Sequence, residues 1–185
     1  PTDDAPLLCM VSRLTAQKGI DLVAATLDAV VASGARLVVL GNGDAALEDA
    51  LRAGAQRHPE RVAVRIGYDE GLSHLLQGGS DAILVPSRFE PCGLTQLYAL
   101  KYGSVPLVRR VGGLADSVTD TDLLSLAEDR ATGIVFDRMD ATDYAHALRR
   151  ALASWLASAS SLATRTSRQP CSRAMRSTAS TAPSM

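Results

Sequence analysis

The sequence lacks several features that would place it in common classes of protein. Its 185 residues carry a net charge of only −1, which gives no electrostatic basis for binding nucleic acid or an anionic membrane surface. No apolar run approaches the roughly 20 residues that a membrane-spanning helix needs, and no signal peptide is visible. The chain opens on Pro1 without an initiator methionine, so we expect a fragment or a processed product.

Cysteine is also scarce. Only three cysteines are present, at positions 9, 92 and 171, and their odd number and spacing argue against a disulfide framework or a metal site. A reducing cytoplasm is the simplest setting for such a chain. We expect Cys9 to be a buried strand residue. Cys92 has no nearby His or Lys that would activate it as a nucleophile, so we predict a close-packing role for it.

What the sequence does contain is a regular alternation of apolar runs and amphipathic segments. Strand-like runs occupy residues 7–11, 37–40, 62–66, 82–85, 106–108 and 133–136. Between and after them, helical patterns cover residues 20–31, 45–57, 72–76 and 94–102, a short segment opening at Gly112, and a last face from Tyr144 to Trp155. This alternation predicts an α/β, Rossmann-like, doubly wound parallel sheet, with the order of its strands left open.

The C-terminal segment differs in composition from the rest. Residues 157–185 are rich in Ser, Thr, Ala and Arg, contain no acidic residue and show no helical period. Such a segment cannot bury enough apolar surface to order itself. We therefore expect one folded lobe over residues 1–156 and a low-complexity, disordered tail over residues 157–185. A change of reading frame near Trp155 is one hypothesis for the tail.

The strand at residues 82–85 leads into the most informative stretch, whose letters S-R-F-E-P-C-G-L-T-Q occupy residues 87–96. A strand followed by a polar turn, a glycine and a helix is where open α/β sheets bind ligands. Glu90 can accept hydrogen bonds from hydroxyl groups. The amides of Gly93, Leu94 and Thr95 can donate to an anion, because they stand at a helix N-terminus.

This stretch resembles the glucan-synthase signature of the bacterial glycogen synthase and plant starch synthase family, retaining glycosyltransferases that use a nucleotide-activated glucose. A second string, S-R-L-T-A-Q-K-G-I-D at residues 12–21, is similar to the family's diphosphate-binding segment. The resemblance spans residues 7 to about 155. It implies the C-terminal, nucleotide-sugar-binding lobe of the two-lobed GT-B architecture, with the α-glucan acceptor held by an N-terminal lobe that this sequence lacks.

The resemblance also implies roles for individual residues. Arg13 and Lys18, which by themselves would be an ordinary solvated pair, become catalytic cations that stabilise the departing diphosphate. Glu90 orients the glucose. Glu90 is not a glycosidase acid, because no partner carboxylate is evident. Substrate contacts are implied for Tyr68, by stacking on adenine, and for Cys92, Gly93, Leu94 and Thr95. They are also implied for Gly112 and Gly113, because their segment resembles a Thr-Gly-Gly-Leu loop that the family places near the diphosphate, and their amides are candidate anion donors. No metal or cofactor is needed.

The expected reaction is glucose transfer from ADP-glucose to the non-reducing end of an α-1,4-glucan, with this chain alone inactive. One alternative is a non-catalytic nucleotide-sugar-binding module, and another is a sugar-nucleotide epimerase of GT-B shape. A third is a nicotinamide-dependent oxidoreductase, since residues 41–46 match G-x-G-x-x-A. That match is weak, because Asp44 would place a carboxylate where the pyrophosphate should lie.

Overall fold

The computed structural model describes the backbone of residues 5–165 and the side chains of residues 5–156. The chain divides into two compact units, Pro1–Leu152 and Ala153–Met185. The first unit contains a six-stranded sheet and the helices that cover it. In the second unit, the described residues are the end of a helix.

The strands and helices follow one another as the alternating pattern predicted. The strands are β1 (Leu7–Val11), β2 (Arg36–Gly41), β3 (Val62–Ile66), β4 (Ala82–Val85), β5 (Val105–Arg109) and β6 (Ile134–Phe136). A 3-10 turn at Ala16–Lys18 precedes α1 (Ile20–Ala32), which is followed by α2 (Ala45–Arg57), α3 (Glu70–Gly79), α4 (Thr95–Tyr102), α5 (Gly112–Ser117), α6 (Leu123–Ala127) and α7 (Ala141–Arg165).

Helix α6 was not predicted. Its three leucines are exposed, so no buried face marks it in the sequence. Its N-terminus is closed by a reciprocal capping pair. The amide of Ser125 donates to the Asp122 carboxylate at 2.7 Å, and the amide of Asp122 donates to the Ser125 hydroxyl at 3.0 Å. Such a capping box satisfies two backbone donors that the first turn leaves without partners.

The sheet is parallel throughout, in the order β3-β2-β1-β4-β5-β6. This confirms the predicted doubly wound, Rossmann-like fold and supplies the strand order that the sequence left open. Strands β1 and β4 are neighbours, with Leu8 beside Ala82 and Cys9 beside Ile83. From β1 the chain builds outward to β2 and β3, and it then returns to add β4 on the other side. The crevice between β1 and β4 is therefore the topological switch point, where sheets of this kind bind ligands.

Both faces of the sheet are covered, and this explains why its strands read as nearly continuous apolar runs. On one face, Leu8 and Met10 of β1 pack into a core with residues of α1, α2 and α7. On the other, Cys9 packs with residues of α4 and α5. Cys9 is fully buried, as predicted, and this burial raises the pKa of its thiol to about 11. A thiol that stays protonated at neutral pH is a poor nucleophile.

Helix α7 corrects the expectation for the C-terminal segment. It continues to Arg165, so the prediction that residues 157–165 form no helix is wrong. This stretch contains no Gly or Pro, its Ala and Leu residues favour helix, and an established helix extends at little cost. The remainder of the predicted tail, residues 166–185, lies outside the described residues. None of the helices that the structure describes is both long and apolar enough to cross a membrane.

Candidate functional site

A pocket lies at the switch point, where β1 and β4 end side by side. The carboxyl ends of the two strands form its walls, and polar side chains from the segments that follow them close it. The lining residues are Met10, Val11, Ser12, Lys18, Leu84, Val85, Ser87, Glu90 and Thr95. Three of the predicted site residues, Lys18, Glu90 and Thr95, therefore share one pocket.

Lys18 and Glu90 form an ion pair in this pocket, with the Lys18 ammonium contacting Oε2 of the carboxylate. Only 19% of the Lys18 side chain and 12% of the Glu90 side chain are exposed. The Ser87 hydroxyl donates to the same carboxylate oxygen at 3.2 Å. An ammonium has three hydrogens and a carboxylate has two oxygens. Each partner therefore keeps hydrogen-bonding capacity that a ligand can use.

A second ion pair joins the same two segments. The Arg88 guanidinium donates to both carboxylate oxygens of Asp21, each at 2.6 Å. This bidentate contact lowers the pKa of the Asp21 carboxyl below its usual value of 3.8. Sequence reasoning missed both residues as parts of the site, because nothing in the sequence indicates that their side chains pair. One indication was present in the sequence, since Asp21 and Arg88 each lie inside one of the two strings that resemble the family.

The N-terminus of α4 presents backbone donors beside the pocket. The turn before it places Gly93 at φ +71°, and the fully buried side-chain amide of Gln96 donates to the carbonyls of Cys92 and Gly93 at 3.0 and 3.1 Å. The amides of Gly93, Leu94 and Thr95 donate to no acceptor within the part of the chain that the structure describes. Unpaired amides at a helix N-terminus can donate to an anion, and their binding of one stays a prediction.

Cys92 corrects one prediction. Its side chain is exposed, so the thiol does not have the close-packing role that we expected. The backbone of Cys92 packs closely instead: a Cβ built on Gly113 would lie 2.6 Å from the Cys92 Cα. The tight contact is made by main-chain atoms, and it constrains residue 113 rather than the cysteine side chain.

The two glycines of the predicted diphosphate loop, Gly112 and Gly113, allow α5 to approach the turn that carries Glu90. A Cβ on Gly112 would overlap the Glu90 carbonyl oxygen. The amide of Gly113 donates to that same oxygen at 3.1 Å, and it is therefore not the free anion donor that we expected. Both glycines thus support the site through the backbone of Glu90.

Arg13 and Tyr68 lie on the same edge of the sheet but outside the Lys18–Glu90 pair. Arg13 follows β1, is exposed, and forms no ion pair among the described residues. Tyr68 follows β3, and 84% of its surface is exposed. Since β3 is two strands from β1, Tyr68 stands roughly 10 Å along this edge from the pocket. Their roles remain predictions.

The G-x-G-x-x-A turn has a structural explanation that weighs against a dinucleotide site. Gly41 and Gly43 pass so close to the segment after β1 that a Cβ would overlap the carbonyl oxygens of Ser12 and Leu14. The amide of Gly43 donates to the Glu48 carboxylate at 2.9 Å, so an acid occupies the position of a phosphate. Nor does the described part of the chain contain any cluster of three or more His, Cys, Asp or Glu side chains that could hold a metal ion.

Comparison with known proteins shows the family of this chain. The family model described as "Glycosyl transferases group 1" matches residues 1–169. A glycogen synthase of Mesorhizobium japonicum is 57% identical over 148 residues, which is 80% of this chain and 31% of the relative. A glycogen synthase of Variovorax paradoxus is 61% identical over 150 residues, 81% of this chain and 30% of the relative. The chain thus spans about a third of the length of these relatives.

A solved structure gives the same result. The catalytic domain of starch synthase IV from Arabidopsis thaliana, bound to ADP and acarbose, superposes with a TM-score of 0.77 at 34% sequence identity. The match covers 83% of this chain and 32% of that chain. The resemblance to the glycogen and starch synthase family, first seen in two short strings, is confirmed.

Proposed function

Because this chain belongs to the glycosyl transferases group 1 family, we propose that it is the donor-binding part of a glycogen synthase. The full enzyme would transfer glucose from ADP-glucose to the non-reducing end of an α-1,4-glucan, with retention at the anomeric carbon. The observation that carries the proposal is the Lys18–Glu90 pair in the switch-point pocket, beside the unpaired amides of α4. The similar starch synthase domain bound to ADP and acarbose supports this choice of substrate.

The leaving diphosphate would be held by the cationic and backbone donors of the pocket. Negative charge accumulates on the diphosphate as the glycosidic bond breaks, and fixed donors that meet this charge lower the barrier. Lys18 contributes an ammonium, and the α4 N-terminus contributes the amides of Leu94 and Thr95. Arg13 follows β1 at the same edge and would supply a second cation, suited to bidentate phosphate contact.

Glu90 would orient the glucose. Its carboxylate is held in place by Lys18 and by the Ser87 hydroxyl through one oxygen, Oε2. The other oxygen accepts no hydrogen bond from the described residues, and it can accept from a sugar hydroxyl.

Tyr68 would hold the adenine. The chain of atoms from a β-phosphate to an adenine ring is long enough to cover the roughly 10 Å between the pocket and the end of β3. The exposed ring at that end can stack on a nucleobase.

The acceptor glucan would bind to the rest of the enzyme, since this chain spans about a third of its relatives. We therefore expect the isolated chain to bind the donor without elongating a glucan, and we place the full enzyme in the cytoplasm, the simplest setting for a chain with few cysteines.

Calorimetric titration of the purified chain tests the proposal. We expect ADP and ADP-glucose to bind and NADH not to bind, and we expect Lys18→Met to weaken ADP binding by about tenfold, the effect of losing one charge-assisted contact of roughly 1.4 kcal/mol. Lys101→Met is the matched control, because Lys101 is the only other lysine of the sequence and stands exposed in the last turn of α4. Binding of NADH in preference to ADP would overturn the proposal, as would equal ADP affinity in the two lysine variants.

A further inference from the structure

Arg88 makes hydrogen bonds across the site, although it does not line the pocket itself. Its side chain binds Asp21 through both oxygens and also donates to the carbonyl of Ala16. Its amide donates to the carbonyl of Gln17 at 2.8 Å. Its own carbonyl accepts from the Arg109 guanidinium at 2.9 Å. One residue thus connects three segments that come from distant parts of the chain.

These contacts fall next to the two charged residues of the pocket. Ala16 and Gln17 immediately precede Lys18 in the 3-10 turn, and Arg88 stands two positions before Glu90. The remaining direct hydrogen bond between the two segments, apart from the Lys18–Glu90 pair, joins the Gln17 side chain to the Phe89 carbonyl at 3.2 Å. Most of the hydrogen bonds that join the segment of Lys18 to the segment of Glu90 therefore involve Arg88.

The energetics indicate a role in geometry rather than in global stability. About 38% of the Arg88 side chain and 40% of the Asp21 side chain are exposed, and ion pairs at such exposure contribute little net stability. A planar guanidinium bound through two parallel hydrogen bonds does, however, fix the orientation of its partner, which a lysine cannot do.

We propose that Arg88 is a positioning residue: by binding Asp21 and the Ala16 carbonyl, it holds the Lys18 ammonium against the Glu90 carboxylate before any ligand arrives. The pocket is then organised in advance for a diphosphate. The identity of the ligand in this inference rests on the proposed function. The role of Arg88 in placing Lys18 against Glu90 does not depend on that function.

The test therefore has two independent readouts. A carbodiimide joins an amine to a carboxylate that it already contacts, so treatment of the full chain should give a Lys18–Glu90 amide that mass spectrometry detects. We expect Arg88→Met and the isosteric Asp21→Asn each to reduce the yield of this cross-link severalfold and to weaken ADP binding by about tenfold, with the melting temperature near that of the parent chain. Because the two residues act as a unit, the double variant should lose no more than either single variant.

Asp28→Asn is the matched control. Asp28 forms another ion pair from α1 to an arginine, Arg57, at 3.1 Å, but it lies in the half of α1 that is remote from the pocket. We expect its cross-link yield and its ADP affinity to equal those of the parent.

The outcomes separate the two proposals. An unchanged cross-link in folded Arg88→Met, or in Asp21→Asn if the first variant does not fold, overturns the positioning role whatever the ADP affinity. A reduced cross-link in a chain whose parent form never bound ADP upholds the positioning role and removes the proposed function instead.

Discussion

Gly19 lies directly against the carbonyl oxygen of Pro86, so closely that a Cβ built on Gly19 would overlap that oxygen. The contact, made next in sequence to Lys18, brings the start of α1 onto the residue that follows β4. Gly19 also has φ +73°, a conformation that L-residues with side chains seldom adopt. Two separate constraints therefore act at this position.

We expect Gly19→Ala to separate the two segments, to lower the free energy of unfolding by about 2–3 kcal/mol and to abolish ADP binding. Gly34→Ala is the control, because Gly34 has φ +85° with nothing near its would-be Cβ. It should show only the backbone cost, about 1 kcal/mol, and normal ADP binding. Denaturant unfolding measures the stability of the two variants, and calorimetry measures their ADP binding. Equal losses in the two variants would show that the contact with Pro86 does not matter.

Tyr144 is fully buried against Phe136, with ring centroids 5.3 Å apart, and its hydroxyl has no hydrogen-bond partner among the described residues. Burial raises the pKa of this phenol. Because an unsatisfied buried hydroxyl is costly, we expect Tyr144→Phe to raise the free energy of unfolding by about 1 kcal/mol. Tyr68→Phe, at a tyrosine that is 84% exposed, should leave it unchanged. A loss of stability in Tyr144→Phe would contradict this account of the hydroxyl.

The side chain of Gln96, in α4, is fully buried and donates to the carbonyls of Cys92 and Gly93. We expect Gln96→Glu to lower the free energy of unfolding by about 2–4 kcal/mol at neutral pH, because a carboxylate would face two carbonyl oxygens without a proton to share. The loss should shrink in acid, where the new carboxyl is protonated. Gln56→Glu, at an exposed position of α2, should be nearly neutral. Denaturant unfolding at neutral and at acidic pH measures the change. A loss of stability that does not depend on pH would argue against this explanation.

The Asp21–Arg88 pair makes stability depend on pH. Arg88 lowers the pKa of Asp21 below 3.8 in the folded chain, so the unfolded chain takes up a proton first as the pH falls. The contribution of the pair is fully present above the unfolded-state pKa and is lost as the pH falls through the folded-state pKa. We expect the stability difference between the parent chain and Asp21→Asn to be constant above about pH 5 and to shrink below about pH 4. Denaturant unfolding across this range measures it, and a difference that grows in acid would contradict the assignment.

Local patterns in the sequence were sufficient for the elements and for part of the site. The apolar runs and helical periods placed β1 to β6 and most helices within a few residues, because both patterns depend on neighbours only a few positions apart. The strings around Lys18 and Glu90 identified two residues that the fold brings into contact. Local pattern failed for α6, whose leucines are exposed and mark no buried face, and for residues 157–165, where composition suggested no helix but α7 continues.

Only the tertiary structure decided which distant residues meet. The order of the strands, and so the switch point at β1 and β4, follows from pairing between segments that no local pattern relates. The contact of Arg88 with Asp21, the packing of Gly113 on the backbone of Cys92, and the use of the Gly113 amide by the Glu90 carbonyl are of the same kind. Backbone propensity and side-chain period act over a few residues, whereas these contacts form only when the sheet closes and the loops at its edge must share one space.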